Sequence, residues 1–191
     1  MTTINIKNLS KHFGSTKALD NINLTIEPNK IYGLLGRNGA GKTTLLNLIS
    51  GVFPPEEGRI EINEMDVTNL PEHKRASFIG RVFQNPLQGT ASSLTLEENL
   101  AIATSRGKKR GLNLAVNRKK REEFREKLRT LGLGLERRLH QRVGLLSGGQ
   151  RQALTILMAV LAKPKLLLLD EHTASLDPKT AQIIIALTKR I

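Results

Sequence analysis

Residues 144–162, GLLSGGQRQALTILMAVLA, decide the fold of this chain, because they join a glycine-rich start to a long apolar helical pattern. The apolar spacing is typical of a buried helix. Ser147, Gly148 and Gly149 stand at its start and contribute little to a hydrophobic core. The stretch therefore predicts a buried helix with a small, bare first turn, and it raises the question of what that turn contacts.

The length and composition are those of an ordinary globular protein. The 191 residues are enough for a sizeable core in one domain with a subdomain, and 39% of them are hydrophobic. Cysteine is absent, which excludes disulfide bonds and thiolate metal sites. The first residues lack the apolar core of a signal peptide, and the longest apolar runs are too short to cross a bilayer. We therefore expect any contact with a membrane to be made through a partner.

The net charge of +13 is concentrated between residues 106 and 142, where 14 Lys and Arg stand against 4 Asp and Glu, a net of +10. Such a block can bind nucleic acid or an anionic lipid surface. However, the signs are mixed, and Phe124, Leu128 and Leu131 recur at helical spacing with no interleaved aromatic residues. This pattern favours a solvated helix surface over a binding site.

The order of the predicted elements indicates an α/β domain. Period-two alternation predicts two strands around residues 4–9 and 22–26, and KIYGLL, residues 30–35, is predicted as a short buried strand. Further strands are expected at residues 58–63, 78–84 and 165–170. Helices are expected at residues 42–50, closed by Gly51, and from the capping box of Thr95 and Glu98 to about residue 103. A last helix is expected to begin at Asp177 and Pro178, and the helical region near 95–160 is an insertion in the α/β domain.

The stretch GRNGAGKTT, residues 36–44, has the spacing G-x-x-x-x-G-K-[ST] and lies between a predicted strand and a predicted helix. Its glycines allow successive backbone N–H groups to point inward at phosphate oxygens. Lys42 supplies a cation for the β- and γ-phosphates, and Thr43 a hydroxyl ligand for Mg²⁺. The stretch therefore predicts a nucleoside triphosphate site that uses Mg²⁺, with these binding residues: Gly36, Arg37, Asn38, Gly39, Ala40, Gly41, Lys42, Thr43 and Thr44.

Carboxylates at the end of LLLLDE, residues 166–171, complete the predicted site. An Asp at the end of a buried strand is the usual second anchor for the metal of a P-loop, so Asp170 is assigned to the Mg²⁺ shell. Glu171 follows at once and is assigned the orientation of the attacking water. Gln84, at the end of the predicted strand 78–84, is a candidate for the metal or the water. His172 adjoins Glu171, and a structural role is expected for it.

Together these motifs resemble the nucleotide-binding domain of ATP-binding cassette (ABC) ATPases. The order is the P-loop at 36–44, Gln84 of a Q-loop, LSGGQ at 146–150, LLLLDE at 166–171 and SLD at 175–177 as a D-loop. The resemblance covers essentially the whole chain, as one domain over residues 1–191. It implies a P-loop NTPase core with an N-terminal antiparallel β-subdomain, at about 1–94 and 163–191, and a helical subdomain carrying LSGGQ at about 95–162.

The resemblance also answers the question about the bare helix start. In this family that turn binds the γ-phosphate of ATP held by a second subunit, which fits the positive end of a helix dipole. It implies a head-to-tail dimer of two cassettes, closed by Ser147, Gly148, Gly149 and Gln150. It further implies that Phe13 stacks under the adenine and that Asp177 communicates between the two sites. Both residues also have plain structural interpretations, as an apolar strand end and a helix cap.

The sequence departs from the family pattern at its end. The family continues with a further helix and strand and a histidine that contacts the γ-phosphate, whereas this chain stops at Ile191. We expect a C-terminally truncated domain, because His12, His73, His140 and His172 all lie at the wrong positions for that histidine. Nucleotide binding should survive this loss better than turnover.

Three functions compete for a chain of this kind. The first is the cytoplasmic ATPase subunit of a membrane transporter, peripheral on the cell membrane, working with separate permease subunits and a solute-binding protein. The second is a nucleic-acid-associated ABC protein, which would need a long coiled coil, zinc cysteines or a second cassette, none of which the sequence contains. The third is a catalytically idle interaction module, which the missing C-terminal segment favours and intact Lys42, Asp170 and Glu171 contradict. A fragment that binds nucleotide but is impaired in hydrolysis stays an alternative. Residues 70–103 and 170–181 look similar to bacterial importer subunits for amino acids or related small solutes. The segment after Gln84 is expected to form a groove that receives a helix of the permease. Internal packing of its Leu94, Leu96 and Leu100 is an equal alternative.

Overall fold

The computed structural model describes residues 3–28, 30–107 and 115–170, together with residue 182. The chain divides into two compact units, residues 1–79 and residues 80–191. In the described part of the chain, no helix is long and apolar enough to cross a membrane. The sequence also predicts a core and a helical subdomain, and this division stays a prediction.

The first unit is built on a four-stranded antiparallel sheet in the order β2-β1-β3-β4. The strands are β1 (Ile4–Phe13), β2 (Thr16–Ile26), β3 (Glu57–Ile62) and β4 (Met65–Asp66). Ile4 pairs with Ile26 and Ile6 with Leu24, so the apolar residues of the two alternating runs oppose each other. The period-two prediction for the N-terminal third is therefore confirmed, as is the predicted strand at 58–63.

Two helices complete this unit, α1 (Lys42–Ser50) and the short α2 (Glu72–Arg75). Helix α1 ends as predicted at Gly51, which adopts a left-handed conformation and returns its N–H to the last turn. Arg75 is 1% exposed. Its guanidinium donates to the carbonyl oxygens of Leu48 and Ile49, at the end of α1, and to those of Thr68 and Leu70, over 2.7 to 3.0 Å. This buried arginine therefore satisfies backbone groups at the end of α1 that the helix itself leaves unpaired.

The predicted strand at residues 30–35 is wrong. The segment forms no strand, and the side chains of Ile31 and Leu35 are 84% and 94% exposed. A strand exists only through hydrogen bonds to a neighbouring strand. Neither of the two sheets among the described residues includes this segment, so no neighbouring strand buries its apolar residues.

Among its described residues, the second unit combines a two-stranded sheet with three helices. Strand β5 (Ile79–Val82), which begins at the boundary of the units, pairs with β6 (Leu166–Leu169). Both strands fall within the ranges predicted from the sequence. The helices are α3 (Leu96–Ser105), α4 (Arg118–Arg129) and α5 (Gly148–Leu161), with short 3₁₀ turns at Leu135–Arg137 and Val143–Leu145.

The helices of the second unit enclose its hydrophobic core. Helix α3 begins with the predicted capping box, in which Thr95 accepts from the N–H of Glu98 and Glu98 accepts from the N–H of Thr95. On α4, Phe124 and Leu128 are buried, and most of the charged side chains of that helix are exposed. Members of the core include Val82, Leu96, Leu100, Phe124, Leu128, Leu131, Leu154 and Ile156. The apolar stripe read from the basic segment is therefore confirmed as a core face.

Candidate functional site

The phosphate-binding loop leads directly into α1. The ammonium nitrogen of Lys42 donates to the carbonyl oxygens of Gly36 and Arg37 at 2.8 and 3.0 Å. The loop is therefore curled around the amine of Lys42, with residues 36–40 exposed. The loop therefore holds a cation at the start of α1, where phosphate oxygens are expected to bind.

Gly41 shows why the loop needs a glycine at that position. Its φ is +81°, and a Cβ built there would lie 2.5 Å from the carbonyl oxygen of Ala18 and 2.8 Å from Cδ2 of Leu19. Gly41 is also the N-cap of α1, and no side chain caps that helix start. The first N–H groups of a helix have no partner within it. The start of α1 is consequently a built anion site, with Gly39 of the same loop in open space.

Phe13 lies at the end of β1, in the same unit as the loop. It is 50% exposed and meets Phe53 edge to face, with ring centroids 5.6 Å apart and planes at 87°. Phe53 was not singled out from the sequence. Its position three residues after the end of α1 carries no motif that would have marked it.

In the second unit, two predicted metal-site residues, Asp170 and Gln84, follow the two strands of its sheet. Asp170 follows β6, is 7% exposed, and donates its backbone N–H to the carbonyl of Val82 on β5 at 3.1 Å. Arg81 Nη2 lies 3.8 Å from the carboxylate of Asp170. Gln84 is exposed and lies two residues beyond the end of β5, so it does not end the strand as the sequence indicated. Glu171, His172 and Asp177, with SLD at 175–177 and the last predicted helix, lie outside the described residues.

The LSGGQ stretch forms the start of α5, as predicted, and Ser147 is the N-cap. The Ser147 hydroxyl accepts from the N–H of Gln150 at 3.3 Å, and the Gln150 side chain accepts from the N–H of Ser147 at 3.2 Å. This capping box was missed in the sequence, although the spacing S-x-x-Q is its signal. Ser147 and Gly148 are exposed, and a Cβ at Gly148 would meet nothing within 4 Å. Gly149 follows in the first turn.

The segment after Gln84 offered two interpretations of its leucines, a permease groove or internal packing. Leu96 and Leu100 are both 0% exposed and belong to the core of the unit. Asn99, 1% exposed, exchanges hydrogen bonds with both the N–H and the carbonyl of Ala91 at 2.8 and 3.0 Å. These two leucines therefore pack internally, and Asn99 ties the preceding loop to α3.

Comparison with known proteins identifies the family. The family model described as "ABC transporter" matches residues 19–174. The tyrosine transport ATP-binding protein of Clostridioides difficile (strain R20291) is 43% identical over 193 aligned positions, covering 98% of this chain and 76% of the relative. The methionine import ATP-binding protein MetN of Clostridium tetani (strain Massachusetts / E88) is 36% identical, covering 98% of this chain and 57% of the relative. The chain thus spans little more than half of that second protein.

A solved structure gives the same answer. The ATP-binding cassette MJ0796, in a dimeric post-hydrolysis state bound to ADP and Pi, matches with a TM-score of 0.83 and 30% identity, over 98% of this chain and 82% of that one. The chain belongs to the ABC transporter family and covers its ATP-hydrolysing nucleotide-binding domain.

Proposed function

We propose that this chain is the ATPase subunit of an importer for amino acids or similar small solutes. The observation that carries the proposal is the loop curled around Lys42 at an uncapped helix start, in a chain whose relatives include tyrosine and methionine transport proteins. A cassette does not itself select the solute, so the solute class rests on those relatives alone. In this proposal the chain works at the cytoplasmic face of the membrane, with permease subunits and a solute-binding protein.

The binding step in this proposal is electrostatic. Lys42 turns its ammonium from the carbonyls of Gly36 and Arg37 toward the β- and γ-phosphates, and the N–H groups of the loop and of the first turn of α1 hold the remaining oxygens. Phe13 stacks against the adenine through its exposed ring. Bound Mg²⁺ would neutralise phosphate charge, and the oxygen donors that fit it are the hydroxyl of Thr43, the amide of Gln84 and the carboxylate of Asp170.

Hydrolysis in this proposal requires a second cassette. Glu171 orients a water in line with the γ-phosphorus, and Ser147, Gly148, Gly149 and Gln150 of the opposing copy close the site over the γ-phosphate. Asp177 communicates between the two sites. The exposure of Ser147 and Gly148, and the open space at Gly148, support this role because a partner's phosphate can reach them. Each site then takes Lys42 from one copy and Ser147 from the other.

A mixing experiment tests the shared site. Lys42→Ala removes the cation, whereas Ser147→Asp keeps a good helix cap and places a negative charge against the γ-phosphate. Neither variant alone should hydrolyse ATP. In an equal mixture, half of the dimers are mixed and each has one intact site, so about one quarter of the parent rate should return.

The control is Lys7→Ala, which removes a 64% exposed lysine in the same unit and should leave the rate unchanged. If the mixture stays inactive while each variant still binds ATP or dimerises as the parent does, the sites are not shared between copies. If the parent chain binds ATP and does not turn it over at any protein concentration, the hydrolytic role of this 191-residue chain is wrong.

A further inference from the structure

We propose that Phe53 is a positioning residue for nucleotide binding, holding the ring of Phe13 as one member of a two-ring platform for the base. The inference rests on the proposed function, in which Phe13 stacks against adenine. It adds that a second ring and a lysine hold the stacking ring in place, while Phe13 itself stays 50% exposed. We call Phe13, Phe53 and Lys11 the base platform.

The base platform joins two rings and one cation. The ring centroids of Phe13 and Phe53 are 5.6 Å apart, and the ammonium of Lys11 lies over both rings, 5.6 and 5.7 Å from their centroids. The three distances form a nearly equilateral triangle, so each member of the platform lies against the other two. Phe13 nevertheless remains 50% exposed. A flat purine can therefore stack on the exposed part of that ring.

The lysine of the platform is itself held in place. Lys11 donates to Oε1 of Glu56 at 3.1 Å, and its side chain is only 15% exposed. Oε2 of Glu56 accepts from the backbone N–H of His12 at 2.9 Å and lies 2.6 Å from Nδ1 of the same residue. The hydrogen bonds from His12 and Lys11 hold the pKa of the Glu56 carboxyl below its usual value. Glu56 therefore stays ionised at neutral pH and keeps the ammonium over the two rings.

The connection between the platform and the phosphate loop runs through α1. That helix begins with Lys42 and ends at Ser50, and Phe53 follows it after the cap Gly51. The backbone N–H of Glu56 donates to the carbonyl of Ser10, which fixes this segment against β1, the strand that ends at Phe13. Helix α1 thus begins at the proposed phosphate site, and Phe53, which contacts Phe13, follows just after its end.

A purely structural role makes a different prediction from a platform role. Aromatic pairs of this geometry contribute about 0.5–1.5 kcal/mol beyond their buried area. If Phe53 only supports the fold, its loss should weaken every ligand of the unit alike. If it orients Phe13, its loss should weaken ligands that carry a base and spare those that carry only phosphates. The conservative variant Phe53→Tyr keeps a ring in place and should behave as the parent.

The test is calorimetric binding of ATP and of inorganic tripolyphosphate to the 191-residue chain. Phe53→Ala should weaken the affinity for ATP about 3- to 10-fold and leave the affinity for tripolyphosphate unchanged. Phe53→Leu should behave in the same way while keeping apolar bulk, so it carries the test if Phe53→Ala does not fold. Phe53→Tyr should restore the parent affinity. Met65→Ala, at a 46% exposed residue of β4, is the control and should change neither ligand.

The outcomes separate this inference from the function beneath it. If Phe13→Ala weakens ATP and Phe53→Ala does not, Phe13 needs no brace and the inference is wrong. If Phe53→Ala weakens both ligands equally, Phe53 is structural and the inference is again wrong. If Phe13→Ala leaves ATP binding unchanged, the base does not stack on Phe13, and the inference about Phe53 is wrong as well. Loss of tripolyphosphate binding in Lys42→Ala reports separately on the phosphate site.

Discussion

The side chains of Ser147 and Gln150 are bound to each other's backbone, so the start of α5 is closed by its own residues. The start of α1 is different, because Gly41 provides no side-chain cap. Of the two helix starts that we assign to phosphate, that of α1 therefore lacks a side-chain cap and that of α5 is already capped. In the proposed dimer, the Ser147 hydroxyl can donate to the partner's phosphate while it still accepts from the N–H of Gln150.

Substitutions at Ser147 should separate capping from turnover. Ser147→Ala removes the cap and should cost about 1 kcal/mol of unfolding free energy together with ATPase activity. Ser147→Asp restores the cap and should keep the parent stability, but it repels the γ-phosphate and should remain inactive. Denaturant unfolding and steady-state hydrolysis on the same samples check both. An Asp variant with parent activity would contradict a phosphate contact at Ser147.

Gly41 and Gly39 form a matched pair in the phosphate-binding loop. Both have φ near +80°, but only Gly41 approaches other backbone, at 2.5 Å from Ala18 O for an added Cβ. Gly39→Ala should cost about 1 kcal/mol from its left-handed conformation alone. Gly41→Ala adds a steric clash with β2 and should cost more, with loss of ATP binding. Unfolding and nucleotide titration of the two variants measure the difference; equal effects would mean that the contact with β2 is unimportant.

The motif-bearing parts of this fold could be predicted from the sequence because they depend on local chemistry. The helix that starts at Lys42 follows from its glycine loop and its Gly51 cap, and the apolar face of α4 follows from residue spacing. Residues 30–35 show the limit of such patterns. Their apolar run predicts a buried strand, yet burial depends on a partner strand that sequence spacing cannot supply.

The residues that sequence reasoning missed act over long separations in the chain. Arg75 contacts carbonyls at positions 48 and 49, and Phe53 meets Phe13 across 40 positions. A lone arginine or phenylalanine has no motif, so nothing in the sequence distinguished Arg75 from the many exposed basic residues. Ser147 is different, because the capping signal S-x-x-Q at residues 147–150 is local and can be recognised in the sequence.

Arg75 should be among the most sensitive positions for stability. Arg75→Leu removes donors from four buried or partly buried carbonyl contacts, and we expect a loss of about 3 kcal/mol or more in unfolding free energy. Arg75→Lys keeps the charge but cannot donate to all four carbonyl oxygens, so its free energy of unfolding should lie between those of the parent and Arg75→Leu. Arg59→Leu, at a 53% exposed arginine of the same unit, should cost little. Chemical denaturation checks the order; equal losses at the two arginines would show that these hydrogen bonds do not stabilise the fold.

Glu97 on α3 should make the stability of the second unit depend on pH in the acidic range. Its carboxylate, 10% exposed, accepts from Nε and Nη2 of Arg121 on α4 at 2.7 and 3.2 Å, and His140 Nδ1 lies 3.3 Å away. The hydrogen bonds from Arg121, against the opposing effect of burial, lower the pKa of Glu97 from its ordinary 4.5. Because the pKa is lower in the folded state, this stabilisation is complete above pH 4.5 and is lost as the pH falls through the folded value.

The variant Glu97→Gln should therefore lose about 1 to 2 kcal/mol at pH 7, at the lower end because Arg121 is 40% exposed and screened by solvent. The difference from the parent should shrink as the pH is lowered from 5 toward 3, since the parent's carboxyl is then protonated as well. Glu123→Gln, at an exposed position of α4, controls for the loss of one carboxylate. Urea unfolding across this pH range measures the effect, and a Glu97→Gln difference that stays constant with pH would show that the ionised pair with Arg121 contributes nothing to folding.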